Sequence, residues 1–174
     1  HLGEINICSL DLDKRYLELN DARYKYISPP EAHVTTSHDV LGQPSLVWTW
    51  LNDPECRRAW WRGSDWHFDE RPDGRTGQGA SNHCSQSNFT ENVLDWRPFT
   101  YFTVRRKRGP ISLLETAELE PSAKGTRITW NHQLEAPLPG WLLRKLCGFI
   151  VAKGMKLEDN AALLEKKLAE AVVE

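Results

Sequence analysis

Turn signals cut residues 64–135 into strand-length pieces, and such a chain has little choice but an antiparallel meander. Arg71-Pro72-Asp73-Gly74 is a turn with a mechanism, and Ser87-Asn88, Arg97-Pro98, Gly109-Pro110 and Pro121 to Gly125 are further candidates. Between them lie segments of strand length at about 64–70, 76–86, 89–96, 99–107, 112–120 and 126–135. Successive strands joined by short turns pair antiparallel. A Val- and Thr-rich stretch at 34–41 predicts one more strand ahead of them.

The period changes after Pro137 and Pro139. Leu142, Leu146, Phe149/Ile150, Leu157, Ala161, Leu164, Leu168 and Val172 recur every three or four residues. That is the stripe of a long amphipathic helix, on the order of 30 residues and ~45 Å long. Gly148 and Gly154 interrupt it. They predict either a kinked first half or a close backbone approach beside the sheet.

Four of the eight tryptophans fall between Val47 and Trp61, around an Asn52-Asp53-Pro54 break. Pro44 and Pro54 each suit the first turn of a helix, and Asp53 is placed to cap the second. Two short helices in tandem are expected there. They are too short to stand alone in water, so they must lie against something larger. The order is then α+β: strand, two short helices, six antiparallel strands, long C-terminal helix.

The 174 residues suit one domain with a real core. A formal charge of -2 gives no reason to expect nucleic acid as a partner. The basic run Arg105-Arg106-Lys107-Arg108 reads as a solvated hairpin end. Cys8, Cys56, Cys84 and Cys147 lack metal-ligand spacing and read as reduced, mostly buried thiols of a cytoplasmic protein. Trp141 to Met155 is the most apolar stretch, too short and too basic to span a bilayer. The chain begins at His1 and carries no secretory signal, which reads as a fragment. Residues 1–32 are expected to be an extension or linker, with a short helix at about 11–20, and residues 33–174 the domain.

Pro44-Ser-Leu-Val-Trp-Thr-Trp-Leu-Asn-Asp-Pro-Glu-Cys-Arg-Arg-Ala-Trp-Trp61 resembles the opening of many polyketide cyclase/dehydrase-like members of the START-like, or SRPBCC, superfamily, also called birch-pollen-allergen-like. Gly77-Gln-Gly79, Asn82-His83-Cys84, Glu91 to Pro98, Thr116–Pro121 and Gly125–Trp130 are similar to SRPBCC domains found beside bacterial nucleotide cyclases. The resemblance covers about residues 33–173. It implies a helix-grip fold, in which a curved antiparallel sheet wraps a long C-terminal helix. It also implies a cavity between the two that takes lipid-, polyketide- or sterol-like molecules. A minority of members are enzymes, and no shared catalytic residue carries over. A regulatory role beside an effector such as a nucleotide cyclase is a further implication.

On strand 126–135, Ile128, Trp130, His132 and Leu134 share a face that should meet the helix. His132 is then a polar group on an apolar face. It reads as a hydrogen-bonded core histidine, a ligand-orienting group, or a metal ligand or base. On strand 76–86, His83 and Cys84 point to opposite faces, and the phase stays open. Gly74-x-x-Gly77-x-Gly79 is no phosphate loop, because no helix follows it. Glu91, Asp95, Glu115, Glu118 and Glu120 alternate with apolar residues and are expected on a solvated sheet face. The ligand-facing set is His83, Trp96, Trp130, His132, Leu146, Phe149 and Ile150, with no catalytic residue, metal or cofactor assigned. Binding is preferred over catalysis, and the expected partner is a small hydrophobic ligand.

Overall fold

The computed structural model describes residues 25–61, 66–68, 81–84 and 89–173. Strand β1 (Val34–Val40) leads into helices α1 (Pro44–Asn52) and α2 (Pro54–Trp60). Strands β2 (Trp66–Phe68), β3 (Ser81–Cys84), β4 (Phe89–Arg97), β5 (Tyr101–Arg108), β6 (Ile111–Ser122) and β7 (Gly125–Glu135) follow. Helix α3 (Gly140–Phe149), a π-turn (Ile150–Gly154) and helix α4 (Leu157–Val173) close the chain. The strands form one antiparallel sheet in the order β1-β7-β6-β5-β4-β3-β2. This is the expected α+β helix-grip arrangement. The turn expected at 71–74 and the helix expected at 11–20 lie outside the described residues.

The tandem helices form as their sequence dictates. Pro44 and Pro54 sit in the first turns, where a missing N–H removes no helical bond. Asp53 ends α1 and caps α2, its Oδ1 accepting the Cys56 N–H at 3.0 Å. Trp60 Nε1–H donates to the Trp50 carbonyl at 2.8 Å, tying α2 back across the break. Val47, Trp48 and Leu51 go to the core from α1, and Arg57 and Trp60 from α2. Trp48 packs edge-on against Trp96 (4.8 Å between ring centroids) and Phe102 (5.7 Å).

The β6–β7 turn shows what glycine does here. Gly125 has φ 145°, and a Cβ on it would lie 2.7 Å from the Gly42 carbonyl oxygen. The loop after β1 packs directly on this turn, and Thr126 Oγ1 donates to the Gly42 carbonyl at 2.8 Å.

The expected long C-terminal helix is two helices. The break falls just after Gly154, where Met155 N–H bonds the Ile150 carbonyl at 2.8 Å and Lys156 turns left-handed at φ 49°. Buried Asn160 accommodates the break by donating Nδ2–H to the Met155 carbonyl at 2.9 Å. The apolar stripe resumes in phase at Leu157, so Leu157, Ala161, Leu164 and Leu168 all reach the core.

The opposite face of the sheet carries its own small cluster. Ile27 and Ala32 bury against Leu94 and Leu114. Ile27 N–H donates to Thr116 Oγ1 at 3.0 Å, and Thr116 bonds Thr103 at 2.8 Å.

Candidate functional site

Strand β7 alternates as expected, and Ile128, Trp130, His132 and Leu134 are all buried. The register sets Glu115 of β6 opposite His132, and Glu91 of β4 opposite Arg106 of β5. These four polar residues share the concave face with Trp130, Val104 and Phe102. They form a continuous chain of hydrogen bonds with Arg57, which reaches in from α2.

Arg57 Nη1 donates to Glu91 Oε1 at 2.7 Å, and Arg57 Nη2 to Glu91 Oε2 at 2.9 Å. Arg106 Nε donates to Glu91 Oε2 at 2.9 Å. Arg106 Nη1 and Nη2 donate to Glu115 Oε2 and Oε1 at 2.8 and 3.0 Å. His132 Nε2 meets Glu115 Oε2 at 2.9 Å. Two guanidinium forks thus grip two carboxylates, a geometry that only arginine supplies. The Trp61 ring lies over both cations, 5.5 Å from Arg57 and 5.4 Å from Arg106.

The electrostatics follow from this packing. Burial works against the charge of Glu115, but Arg106 and the His132 hydrogen bond outweigh it and hold the carboxyl well below the usual range. Burial likewise opposes the charge of Arg106, and Glu115 and Glu91 outweigh it, so the guanidinium stays charged. A carboxylate can only accept, so His132 must carry a proton on Nε2. Its Nδ1 is buried and has no hydrogen-bond partner among the described residues.

This arrangement corrects two expectations. Glu91 and Glu115 are fully buried and do not lie on a solvated face. Of the basic run, Lys107 and Arg108 are exposed as expected, but Arg106 is 7% exposed and sits at the centre of the chain. The other three acids do look outward or sideways. Asp95 accepts from Tyr101 Oη at 3.0 Å, Glu118 accepts from Asn131 Nδ2 at 3.1 Å and from Tyr26 Oη, and Glu120 is exposed. Burial and the Glu118 contact push the Tyr26 hydroxyl up to about 12.

The remaining expected residues are scattered around the chain. Trp130 is buried, with His38 edge-on at 5.5 Å. Trp96 is half-buried against Trp48 and Phe102. Leu146 and Ile150 are half-buried against the core from above, while Phe149 is 66% exposed on the outer side of α3. His83 pairs with Thr90 in β3, next to the Asn82–Glu91 pair. Cys56 and Cys147 are free thiols, and burial pushes Cys147 up to about 11. Among the described residues no cluster has the makeup of a metal site, and no helix is long and apolar enough to cross a membrane.

A curved antiparallel sheet, a two-helix plug after the first strand and a C-terminal helical cover define the helix-grip class. The chain belongs to the polyketide cyclase/dehydrase and lipid transport family, whose profile matches residues 31–168, and so to the SRPBCC superfamily. No curated protein matches the chain. Among solved structures it is similar to XoxI from Bacillus cereus, with 14% identity over 79% of this chain and 96% of that one (TM-score 0.58). Protein MLL2253 from Mesorhizobium loti shares 17% identity over 76% of this chain and 96% of its own (TM-score 0.57). DynU16, from the dynemicin biosynthetic locus, shares 22% over 76% of this chain and 46% of its own (TM-score 0.53). At these identities the likeness is one of fold.

Proposed function

We propose that this domain binds a small apolar or amphipathic molecule, lipid-, polyketide- or sterol-like, between the concave face and α3. Trp96, Trp130, Leu146 and Ile150 supply apolar wall, His83 lies toward the open edge, and His132 supplies direction. The observation that carries the reading is His132 Nδ1. It is a buried ring nitrogen without a hydrogen-bond partner among the described residues, at the end of the ionic chain and beside the Trp130 wall, and an unpaired buried polar atom is costly enough to need a reason. Glu115 takes the Nε2–H, which leaves Nδ1 as the ring atom free to hydrogen-bond a ligand hydroxyl. Binding sites of this kind combine apolar walls with a few fixed polar groups.

Titration with a fluorescent hydroxylated fatty acid and with its unsubstituted counterpart tests this. Saturable uptake of both is expected. His132→Leu should weaken the hydroxylated probe about five-fold, the worth of one hydrogen bond, and leave the other unchanged. Wild-type protein that takes up neither probe would sink the proposal.

A second reading is an enzyme of the cyclase or dehydrase type. What favours it is the Glu115–His132 pair itself. A carboxylate that orients an imidazole and stabilises its protonated form leaves the second ring nitrogen ready as a general base. Turnover of an enolisable polyketide-like substrate that is lost in His132→Gln, while probe binding persists, separates the two readings.

A further inference from the structure

The outer side of α3 plays no part in the ligand reading, yet it has a definite chemistry. From Ala136 to Leu157 the charged residues are Arg144, Lys145, Lys153 and Lys156, with no acid among them, in a chain of net charge -2. The inner side of the segment is spent on the core through Cys147 and Val151. The opposite side stacks Trp141, Lys145 and Phe149 at successive four-residue steps, which places them one above the other on a helix. Trp141 is 65% exposed and Phe149 66%, more than any other large hydrophobic side chain described. Lys145 Nζ lies 5.7 Å from the Trp141 ring centroid, so its stem runs along the aromatic surface. Exposed Lys153 and Lys156 follow in the π-turn and just past it, around a depression they share with Glu158 and Asp159. Those two acids, both exposed, end the all-basic segment.

Isolated exposed apolar residues need no explanation, but two large aromatics aligned with lysines on one helix face do. A protein groove would be matched by charges of mixed sign set in a pattern. Here the charges of α3 and the π-turn are all of one sign, and aromatics alternate with a long cationic stem. That composition suits the boundary between headgroups and acyl chains, where tryptophan anchors and lysine snorkels to phosphate.

We propose that α3 and the π-turn dock on an anionic lipid bilayer, with Trp141 and Phe149 entering the interface and Lys145, Lys153 and Lys156 meeting the headgroups. The helix lies on the membrane and does not cross it. The complement is the negative surface potential of the bilayer, which acts on basic residues within about a Debye length. Docking requires no bound ligand and stands or falls apart from the ligand reading.

Flotation with phosphatidylcholine vesicles, with and without about one-third phosphatidylserine, tests the proposal on the full chain, since that fraction gives a strong surface potential. Binding to the anionic vesicles alone, weakened at least ten-fold by 0.5 M salt as screening requires, is expected. Trp141→Ser/Phe149→Ser should lose binding at least ten-fold, and so should Lys145→Glu/Lys153→Glu. All four side chains are solvent-facing, so circular dichroism and Tm should not move. Three results would overturn the proposal: no binding to anionic vesicles, equal binding to both vesicle types, or full binding by either double variant. Capture of an acidic peptide by a protein that ignores vesicles would assign the face to a protein partner instead.

Discussion

The two ends of the concave face are built on opposite terms. At one end Trp48 packs edge-on against Trp96 and Phe102, with Trp130 buried in the same core, and burial alone stabilises them. At the other, Arg57, Glu91, Arg106, Glu115 and His132 are equally buried but charged or polar. There the attraction between ions mainly offsets the cost of taking them from water. The aromatic end is therefore where stability is made. The ionic end spends stability to hold one imidazole in one orientation.

Breaking the chain by removing one member should have the largest effect. Glu115→Ala strands His132 and leaves Arg106 only its Nε bond to Glu91, and a loss of about 3–5 kcal/mol is expected by urea unfolding. Trp130→Ala should cost a similar ~3–5 kcal/mol, since the ring is enclosed and leaves a cavity. The comparison sharpens with compensation. Arg106→Met combined with Glu115→Leu removes both charges at once and leaves the Arg57–Glu91 pair standing. That double variant should recover most of the Glu115→Ala loss, to within about 2 kcal/mol of wild type, because an apolar replacement of a buried pair is often neutral. No second substitution should rescue Trp130→Ala in this way. If the double variant is as damaged as the single, the ionic end contributes net stability and the contrast between the ends fails.

Acid should act on the ionic end first among core elements. The Glu115 carboxyl is depressed in the fold, so its contribution is complete above the unfolded carboxylate value near ~4.3 and fades as pH falls from there toward the much lower folded value. His33 adds an earlier, smaller step. Its Nδ1 accepts the Leu134 N–H at 3.1 Å, and burial, with Arg144 nearby, lowers its pKa. The unfolded chain takes up that proton first, so stability declines as pH drops below about 6.5. Tm against pH should show both stages, and His33→Gln should remove only the upper one. The smallest expected effect is at the plug. Asp53→Ala deletes the cap of α2 and should cost about 1 kcal/mol.

The aromatic end was legible in the sequence and the ionic end was not, for local reasons. Pro44, Asp53 and Pro54 announce the plug because helix starts have their own chemistry. Strand β7 sets Ile128, Trp130 and Leu134 at alternate positions, so the inward phase they share with His132 could be read directly. Strand β4 carries a register shift between Val93 and Asp95, which puts Glu91, Val93 and Trp96 on one face. In β6, Leu113 and Leu114 bury on opposite faces, so the pattern points equally to either phase for Glu115. Arg106 was hidden among cations that do face water. One charged residue at the inward phase on each of three neighbouring strands was the available signal, and it required the pairing register to see. The break after Gly154 was masked because Ile150 and Leu157 are two turns apart, which keeps the apolar stripe in phase across it.

The central claim is that Glu115 holds His132 with its proton on Nε2 and Nδ1 open. The ¹⁵N shifts of the His132 ring at neutral pH report this directly, before and after a hydroxylated apolar probe is added. A protonated Nε2 and a change at Nδ1 when the probe binds are expected. An unprotonated Nε2, or an Nδ1 signal indifferent to bound probe, would contradict the claim.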